Sequence, residues 1–198
     1  MKKIMTLIIL VTAAYVSAAS HQAEACVGKT IAVGIVSSSK DQLLAEILSV
    51  LINERTGTSV TINAYKNVQE VYQAVKKKGE ISILIENTER ALEVLNRPAE
   101  KDAKKAYAIS KEEFRKHFDL VWLQPFGLFL QHGETNPSYW CFAIATDALN
   151  NFPALPRLLN KLAGTLNEEA FATLMKKLDN GGKPAVLAKD FLKSKKLI

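Results

Sequence analysis

The 198-residue sequence is poor in the residue types that redox chemistry, metal binding and proton transfer use. It has two cysteines and three histidines, and it has no CxxC or CxxCH spacing, so thioredoxin-like redox chemistry and haem attachment have no support. The GxSxG, HExxH and glycine-rich phosphate-binding patterns are absent. Gly34 has no neighbouring glycines of a dinucleotide fingerprint. We therefore predict no cofactor and no metal, and a binding protein rather than an enzyme, with an unrecognised hydrolase as the remaining alternative.

The histidines do not cluster with other metal-ligating or catalytic residue types. His21 lies in the N-terminal region, His117 in a predicted helix and His132 in a predicted loop. A lone histidine in such a position is more often a surface residue than a base or a ligand. The sequence therefore predicts no catalytic residue.

The charge of the chain is mildly basic, with a formal net charge of +6. Its lysines are scattered, apart from short runs at 76–78 and 193–196. A nucleic-acid-binding protein more often has one basic stripe interleaved with exposed aromatic residues. We therefore predict no nucleic-acid partner.

The N-terminus has the pattern of a secretory signal peptide. Lys2 and Lys3 precede an apolar run at 4–16, and small residues follow as far as Ala25. The run is shorter than the roughly 20 apolar residues of a membrane span. We predict a signal peptide at 1–25 and a periplasmic or extracellular protein, although earlier cleavage, an uncleaved anchor and lipidation of Cys26 remain alternatives.

Two cysteines remain after such processing, Cys26 and Cys141. An even number of cysteines in an oxidising compartment favours pairing. We predict a Cys26–Cys141 disulfide that ties the mature N-terminus to the sheet, provided that the two Cα atoms approach within about 7 Å. Two free thiols, or a lipidated Cys26, are the alternatives.

Strands and helices alternate over the first half of the chain, which predicts parallel βαβ units. Ser39 with Gln42, and Asn67 with Glu70, have the spacing of helix N-terminal capping boxes. The predicted strands of this half are 30–36, 60–64 and 81–85. We therefore expect a single α/β domain at 26–198.

The second half of the chain contains two more predicted strands, at 119–123 and 139–145. Ser110 and Glu113 predict the start of a short amphipathic helix before the first of them. From Thr146 onward the pattern is wholly helical.

Polar residues follow three of the predicted strands. Ser39 and Asp41 follow the first, Gln124 follows the fourth, and Glu86, Asn87 and Thr88 end the third. The carboxyl ends of parallel strands meet at one edge of a sheet, where ligands bind in open α/β folds. Helix capping alone would also explain Ser39, Asn87 and Thr88. Glu86 is different, because a carboxylate that ends an apolar strand needs a partner or water.

Three stretches of the sequence resemble the exported substrate-binding proteins of ABC importers for glycine betaine, choline and related osmoprotectants. The segment 31–47 is similar to the first strand and helix of that family, and 120–127 (LVWLQPFG) is similar to its Val-Trp-Leu-Asp-Pro-x-Gly segment. The segment 79–88 (GEISILIENT) resembles its Gly-x-Ile-Asp strand and Tyr-Pro-Glu-Tyr-Thr-Gly-Thr motif. The C-terminal helices at 158–164 and 179–192 are also similar, so the resemblance covers most of the mature chain.

The chain departs from that family at the residues that grip a cation. Glu86 and Thr88 match the motif, whereas Leu84 and Asn87 stand at its tyrosine positions. The Phe-Thr-Glu-Gln turn of the family reads SSKD at 38–41. Relatives hold a quaternary ammonium by cation–π contact with aromatic rings. The aromatic cage is therefore not preserved at these places.

The resemblance implies a three-layer α/β fold like one lobe of a type II periplasmic binding protein, with a mostly parallel sheet and helices on both faces. Only 126–151 occupies the interval in which relatives insert a second lobe, so we expect the second lobe to be absent. The implied function is an exported solute-binding component, or a derivative of one, with a small quaternary-amine or amino-acid-like ligand and an ABC permease as partners. A homodimer would supply the missing surface, because one open lobe buries too little of a small ligand. The alternative is an interaction module that kept the fold and lost the ligand.

Overall fold

The computed structural model describes residues 30–129 and 137–198. The predicted signal peptide at 1–25 lies outside these residues, as do Cys26 and His132. No helix in the described ranges combines the length and the apolar character that a membrane span needs.

The strands and helices follow the predicted alternation as far as β3 and then become more irregular. The first half consists of β1 (Ile31–Val36), α1 (Ser39–Thr56), β2 (Val60–Tyr65), α2 (Val68–Val75), β3 (Ile83–Asn87), α3 (Thr88–Val94) and α4 (Ala103–Phe118). The second half consists of β4 (Leu120–Trp122), β5 (Gly127–Phe129), β6 (Ser138–Ala145), α5 (Thr146–Asn151), α6 (Leu155–Leu159), a 3₁₀ turn (Asn160–Leu162), β7 (Leu166–Asn167), α7 (Glu168–Asp179) and α8 (Pro184–Ser194).

The described strands form one seven-stranded sheet in the order β2-β1-β3-β6-β5-β7, with β4 also paired to β6. β1 runs parallel to both β2 and β3, and β7 runs parallel to β5. β6 is antiparallel to β3, β4 and β5. Six strands therefore point the same way and β6 alone opposes them, which agrees with the predicted, mostly parallel sheet.

Helices cover both faces of the sheet, and the two-residue period of the strands divides the core between them. On β3, Ile83 and Ile85 belong to the cluster under α1 and α8, whereas Leu84 belongs to the cluster under α2 and α4. On β6, Trp140 and Phe142 face the first cluster and Cys141 faces the second. The predicted α/β class with three layers is therefore confirmed.

Helix caps fix the places where α1, α2 and α3 begin. The side chains of Asn67 and Asn87 accept hydrogen bonds from the third amide of α2 and α3, respectively. α1 is capped by Ser38, whose hydroxyl accepts from the Asp41 amide, and not by Ser39 as predicted. Its end at Gly57 has a φ of 69°, a left-handed conformation that glycine adopts without a steric cost.

The predicted start of α4 is wrong. The helix begins about two turns earlier, because the Asp102 side chain accepts hydrogen bonds from the amides of Lys104 and Lys105. Ser110 is therefore an interior residue of α4 and is fully buried. The short strands β5 and β7 also went unpredicted, because they are defined by pairing across the chain, such as Gly127 with Leu166, and not by a local pattern.

The predicted Cys26–Cys141 disulfide finds no support in the structure. Cys141 is a free cysteine on β6 and is fully buried. Burial, together with the nearby Glu86 carboxylate, raises the pKa of its thiol well above the ordinary value. The thiol is therefore in its neutral, unreactive form.

Candidate functional site

The Glu86 carboxylate lies at the edge of the sheet where the parallel strands β1 and β3 end. We call this region the strand-end edge. The Glu86 side chain is 1% exposed, and its two oxygens have separate partners. Oε2 accepts a short hydrogen bond from the Tyr72 hydroxyl, and Oε1 accepts from the Asn87 amide at 2.8 Å and from Nε of Arg90. The protein itself therefore satisfies the carboxylate that the sequence marked as needing a partner.

Arg90 connects Glu86 to the first turn of α1. Its Nη2 donates to the Ile85 carbonyl at 2.8 Å, and its Nη1 lies 3.5 Å from Oδ2 of Asp41. Burial opposes the guanidinium charge, but the carboxylates of Glu86 and Asp41 outweigh burial and raise the Arg90 pKa. Arg90 is therefore a permanent internal cation between two carboxylates.

Asp41 belongs to both the cap of α1 and this ion network. The Ser38 hydroxyl donates to Oδ2 of Asp41 at 3.0 Å, while the Asp41 amide donates to the same hydroxyl oxygen at 3.0 Å. Oδ1 of Asp41 is buried and has no hydrogen-bond partner among the residues that the structure describes. The sequence predicts Asp41 as a ligand-binding residue of this edge, and in the structure it lies beside Ser38 and Arg90.

A column of stacked rings reaches the same edge. Phe171 stacks on Phe129 with a centroid distance of 4.1 Å, and Phe129 stacks on Trp140 at 5.3 Å. Nζ of Lys40, in the first turn of α1, lies 4.6 Å from the centroid of the Trp140 ring. The Arg90 guanidinium lies 5.8 Å from the same ring. Both distances are within the range of cation–π contact.

The tyrosine Tyr72 is held neutral by its surroundings. Burial raises the pKa of its phenol well above the usual value, and the Glu86 carboxylate beside it acts in the same direction. Because Tyr72 donates to Glu86, its proton is part of the network.

The other predicted site residues lie apart from this network or serve the backbone. The Asn87 side chain caps α3 by accepting from the Arg90 amide at 2.9 Å. The Thr88 hydroxyl oxygen accepts from the Tyr139 amide at 3.2 Å, which holds α3 to β6. Ser39 and Gln124 are exposed, and β6 separates the β4 strand before Gln124 from β3. The structure thus joins Glu86 and Asp41, and it leaves Ser39 and Gln124 outside.

Tyr72, Arg90 and Lys40 complete the edge, although the sequence reasoning did not select them. Arg90 follows Glu86 by four residues, which is the spacing of an ion pair within a helix, but Glu86 lies on β3 and so the rule did not apply. Lys40 and Tyr72 had no local signal. Lys40 contacts Trp140 on β6 and Tyr72 donates to Glu86 on β3, and both partners are distant in the sequence. In the described ranges, no group of three potential metal ligands occurs.

Comparison with solved structures identifies the fold. The chain matches a glycine betaine/carnitine/choline ABC transporter structure with a TM-score of 0.74 and 15% identity, over 85% of this chain and 98% of the other. It matches apo YehZ of Escherichia coli with a TM-score of 0.69 and 14% identity, over 86% of this chain and 100% of the other.

A third match is to lactococcal OpuAC in its closed conformation with glycine betaine, with a TM-score of 0.50 and 10% identity, over 84% of this chain and 96% of the other. No protein-family model matches the sequence. The likeness at these identities establishes the fold, that of a lobe of a periplasmic solute-binding protein.

Proposed function

We propose that this protein is an exported derivative of the substrate-binding components of ABC importers for glycine betaine, choline and related quaternary amines. It acts as an interaction module, and its own side chains occupy the place of the solute. The sequence resemblance at 79–88 and 120–127 and the likeness to transporter structures support the origin. The signal-peptide pattern at 1–25 and the short interval at 126–151 support export and a single lobe.

The contact between Lys40 and Trp140 carries this proposal. A quaternary amine binds by placing its positive charge on an aromatic face. At this edge the Lys40 ammonium lies 4.6 Å from the Trp140 centroid, and Phe129 already stacks on the same ring. A ligand cation would have to displace the Lys40 ammonium from the Trp140 ring. It would replace one cation–π contact with another, so its net gain in binding free energy would be small.

The charge balance of the edge supports the same conclusion. Glu86 and Asp41 carry two negative charges, and Arg90 and Lys40 carry two positive charges, so the sum is zero. Glu86 already accepts three hydrogen bonds from the protein. The edge therefore offers a ligand cation no net negative charge, and both of its carboxylates already form an ion pair with Arg90.

The second candidate function is solute delivery to an ABC permease. The match of Glu86 and Thr88 to the family motif favours it, as does the fold likeness. In that case the strand-end edge would bind a quaternary amine together with a second surface, supplied by a homodimer or another protein. The ligand would then replace Lys40 on Trp140.

Calorimetry distinguishes the two candidates. The purified protein is titrated with glycine betaine, choline and carnitine, at a low concentration and at a concentration that populates dimers. We expect no saturable heat from the wild type. Saturable heat with a Kd on the order of 1 μM, about −8 kcal/mol, would overturn the interaction module and establish solute binding.

A Lys40→Ala variant tests the role of Lys40 directly. A cation–π contact contributes about 0.5–2 kcal/mol. Removing the Lys40 ammonium loses this contribution and opens the face of the Trp140 ring to choline. We expect weak choline binding by this variant and none by Lys104→Ala, a matched control on α4. If choline binds the wild type and Lys40→Ala equally, Lys40 is not the occupant of the site.

A further inference from the structure

A cavity of about 470 Å³ lies on the side of α3 that faces α4. The loop after α3, the first turn of α4 and the start of β6 form its other walls. Its volume is within the range of about 300–1,000 Å³ that is typical of small-molecule sites. Of the six residues that the sequence predicted at the strand ends, Thr88 alone lines this cavity.

The floor of the cavity combines apolar surface with buried hydroxyl groups. Leu92 and Ala106 supply the apolar part, and both are buried. Thr88 and Ser138 also line the cavity and are 2% and 5% exposed. The Thr88 oxygen accepts from the Tyr139 amide, but among the described residues its hydroxyl proton has no acceptor. A buried donor of this kind favours a ligand that carries a hydrogen-bond acceptor.

The rim of the cavity is acidic where α3 borders it. Glu89 and Glu93 are exposed and lie four residues apart on α3, and neither forms an ion pair with another described residue. Like charges at this spacing repel each other and destabilise a helix. A cation that lies between them would remove this repulsion.

The basic residues of the rim do not neutralise these two glutamates. Arg97 turns to Glu113, with 3.0 Å between Nη2 and Oε2. Lys101 is exposed on the loop beside Glu100, whose Oε1 accepts from the Asp102 amide. The α3 side of the rim therefore keeps its negative charge.

We propose that this cavity binds a small organic cation that also carries a hydrogen-bond acceptor. The ammonium group lies at Glu89 and Glu93, the apolar body lies on Leu92 and Ala106, and the acceptor takes the proton of Thr88. This inference does not depend on the function proposed for the strand-end edge, because Lys40, Trp140 and Glu86 are not part of the cavity.

Four matched probes test the chemistry of the cavity. Leucinamide carries both an ammonium and a carbonyl acceptor, 3-methylbutylamine lacks the acceptor, 4-methylpentanamide lacks the charge, and N-acetylleucine is an anion. Each is titrated into the ¹⁵N-labelled protein and followed by amide chemical shifts. We expect leucinamide to bind with a Kd on the order of 1 mM, which corresponds to about −4 kcal/mol for a ligand of this size. We expect saturable shifts at Thr88, Leu92 and Ala106.

The order of affinities is the decisive result. We expect leucinamide to bind more tightly than either single-feature probe, and N-acetylleucine not to bind. No saturable shift with leucinamide, or equal binding of N-acetylleucine, would overturn the proposal. Binding of choline at the strand-end edge would leave this outcome unchanged, so the two proposals fail separately.

Three variants locate the binding. Glu93→Gln removes one rim charge, and it should weaken leucinamide binding about two- to fivefold, as an exposed ion pair would. Ala103→Leu fills part of the cavity and should reduce the affinity further. Glu112→Gln, on the exposed surface of α4, is the matched control and should change nothing. If Ala103→Leu does not fold, Glu93→Gln still decides, since an unchanged affinity there refutes the assignment.

Discussion

Replacing Arg90 with methionine tests the ion network at the strand-end edge. The Arg90 side chain is 14% exposed and forms polar contacts with three groups, the Glu86 carboxylate, the Asp41 carboxylate and the Ile85 carbonyl. Methionine has a similar length and can fill most of the same volume, so the change removes mainly charge and donors. It leaves two buried carboxylates without their cation.

The expected loss follows from the burial of these groups. Removing one partner of a buried ion pair typically costs about 3–5 kcal/mol, because the remaining charge is desolvated and unpaired. The side chains of Glu86 and Asp41 are 1% and 4% exposed, so water cannot replace the guanidinium without a structural change. For a domain of this size, the loss lowers Tm on the order of 10 °C.

Urea unfolding, followed by tryptophan fluorescence and circular dichroism, measures this loss. Arg97→Met is the matched control, because the Arg97 side chain is 52% exposed and its pair with Glu113 lies at the surface. The control should lose no more than about 1 kcal/mol. If the free energy of unfolding of Arg90→Met lies within about 1 kcal/mol of that of Arg97→Met, the network does not hold the edge together.

A double variant separates the charge from the packing of Arg90. Glu86→Gln with Arg90→Met removes one unpaired carboxylate charge, while the amide retains hydrogen-bonding capacity for Tyr72. We expect the double variant to be about 1–3 kcal/mol more stable than Arg90→Met alone, the coupling typical of residues in one network. A double variant that is less stable than either single variant would show that packing, and not charge, determines the effect.

Two further predictions concern buried hydroxyl groups. Ser110→Ala should stabilise the protein by about 1 kcal/mol in urea unfolding, since the buried Ser110 hydroxyl has no partner in the described part of the chain and alanine favours a helix; destabilisation would show that the hydroxyl does have a partner. Tyr72 should make stability fall above pH of about 10, because its raised pKa keeps the phenol protonated in the folded state while the unfolded phenol ionises. Below that pH its contribution is fully present, and it is lost as the pH rises toward the folded pKa. Tyr72→Phe should cost about 1–3 kcal/mol at neutral pH by leaving an oxygen of Glu86 unpaired, and it should flatten the alkaline slope; equal slopes in both proteins would refute the assignment.

The order of strands and helices in the first half of the chain was predictable from local patterns. Apolar runs and helical spacing predicted β1 to β3 with their helices, and Asn67 caps α2 as its spacing with Glu70 indicated. Gly57 ends α1 in the conformation that glycine favours. These features depend on residues within a few positions of each other, so the sequence contains the whole signal.

The start of α4 shows where local patterns conflict. Both Asp102 and Ser110 are residues that cap helices, and the pattern of Ser110 with Glu113 was the more complete. The structure uses Asp102 instead, because Ser110 lies on the face of α4 that packs inward and is fully buried. Packing against the sheet, and not capping preference, decided this boundary.

The sequence by itself determined that a carboxylate, Glu86, ends a buried strand at the edge where such folds bind ligands. The tertiary structure decided what that carboxylate contacts. Arg90 reaches Asp41 across 49 positions, and Lys40 on α1 meets Trp140 on β6. Such contacts depend on strand order and on the direction of each side chain, which no local pattern specifies. The fold could therefore be predicted from the sequence. The partners of Glu86 and Trp140 could not, because they come from strands and helices that only the folded chain brings together.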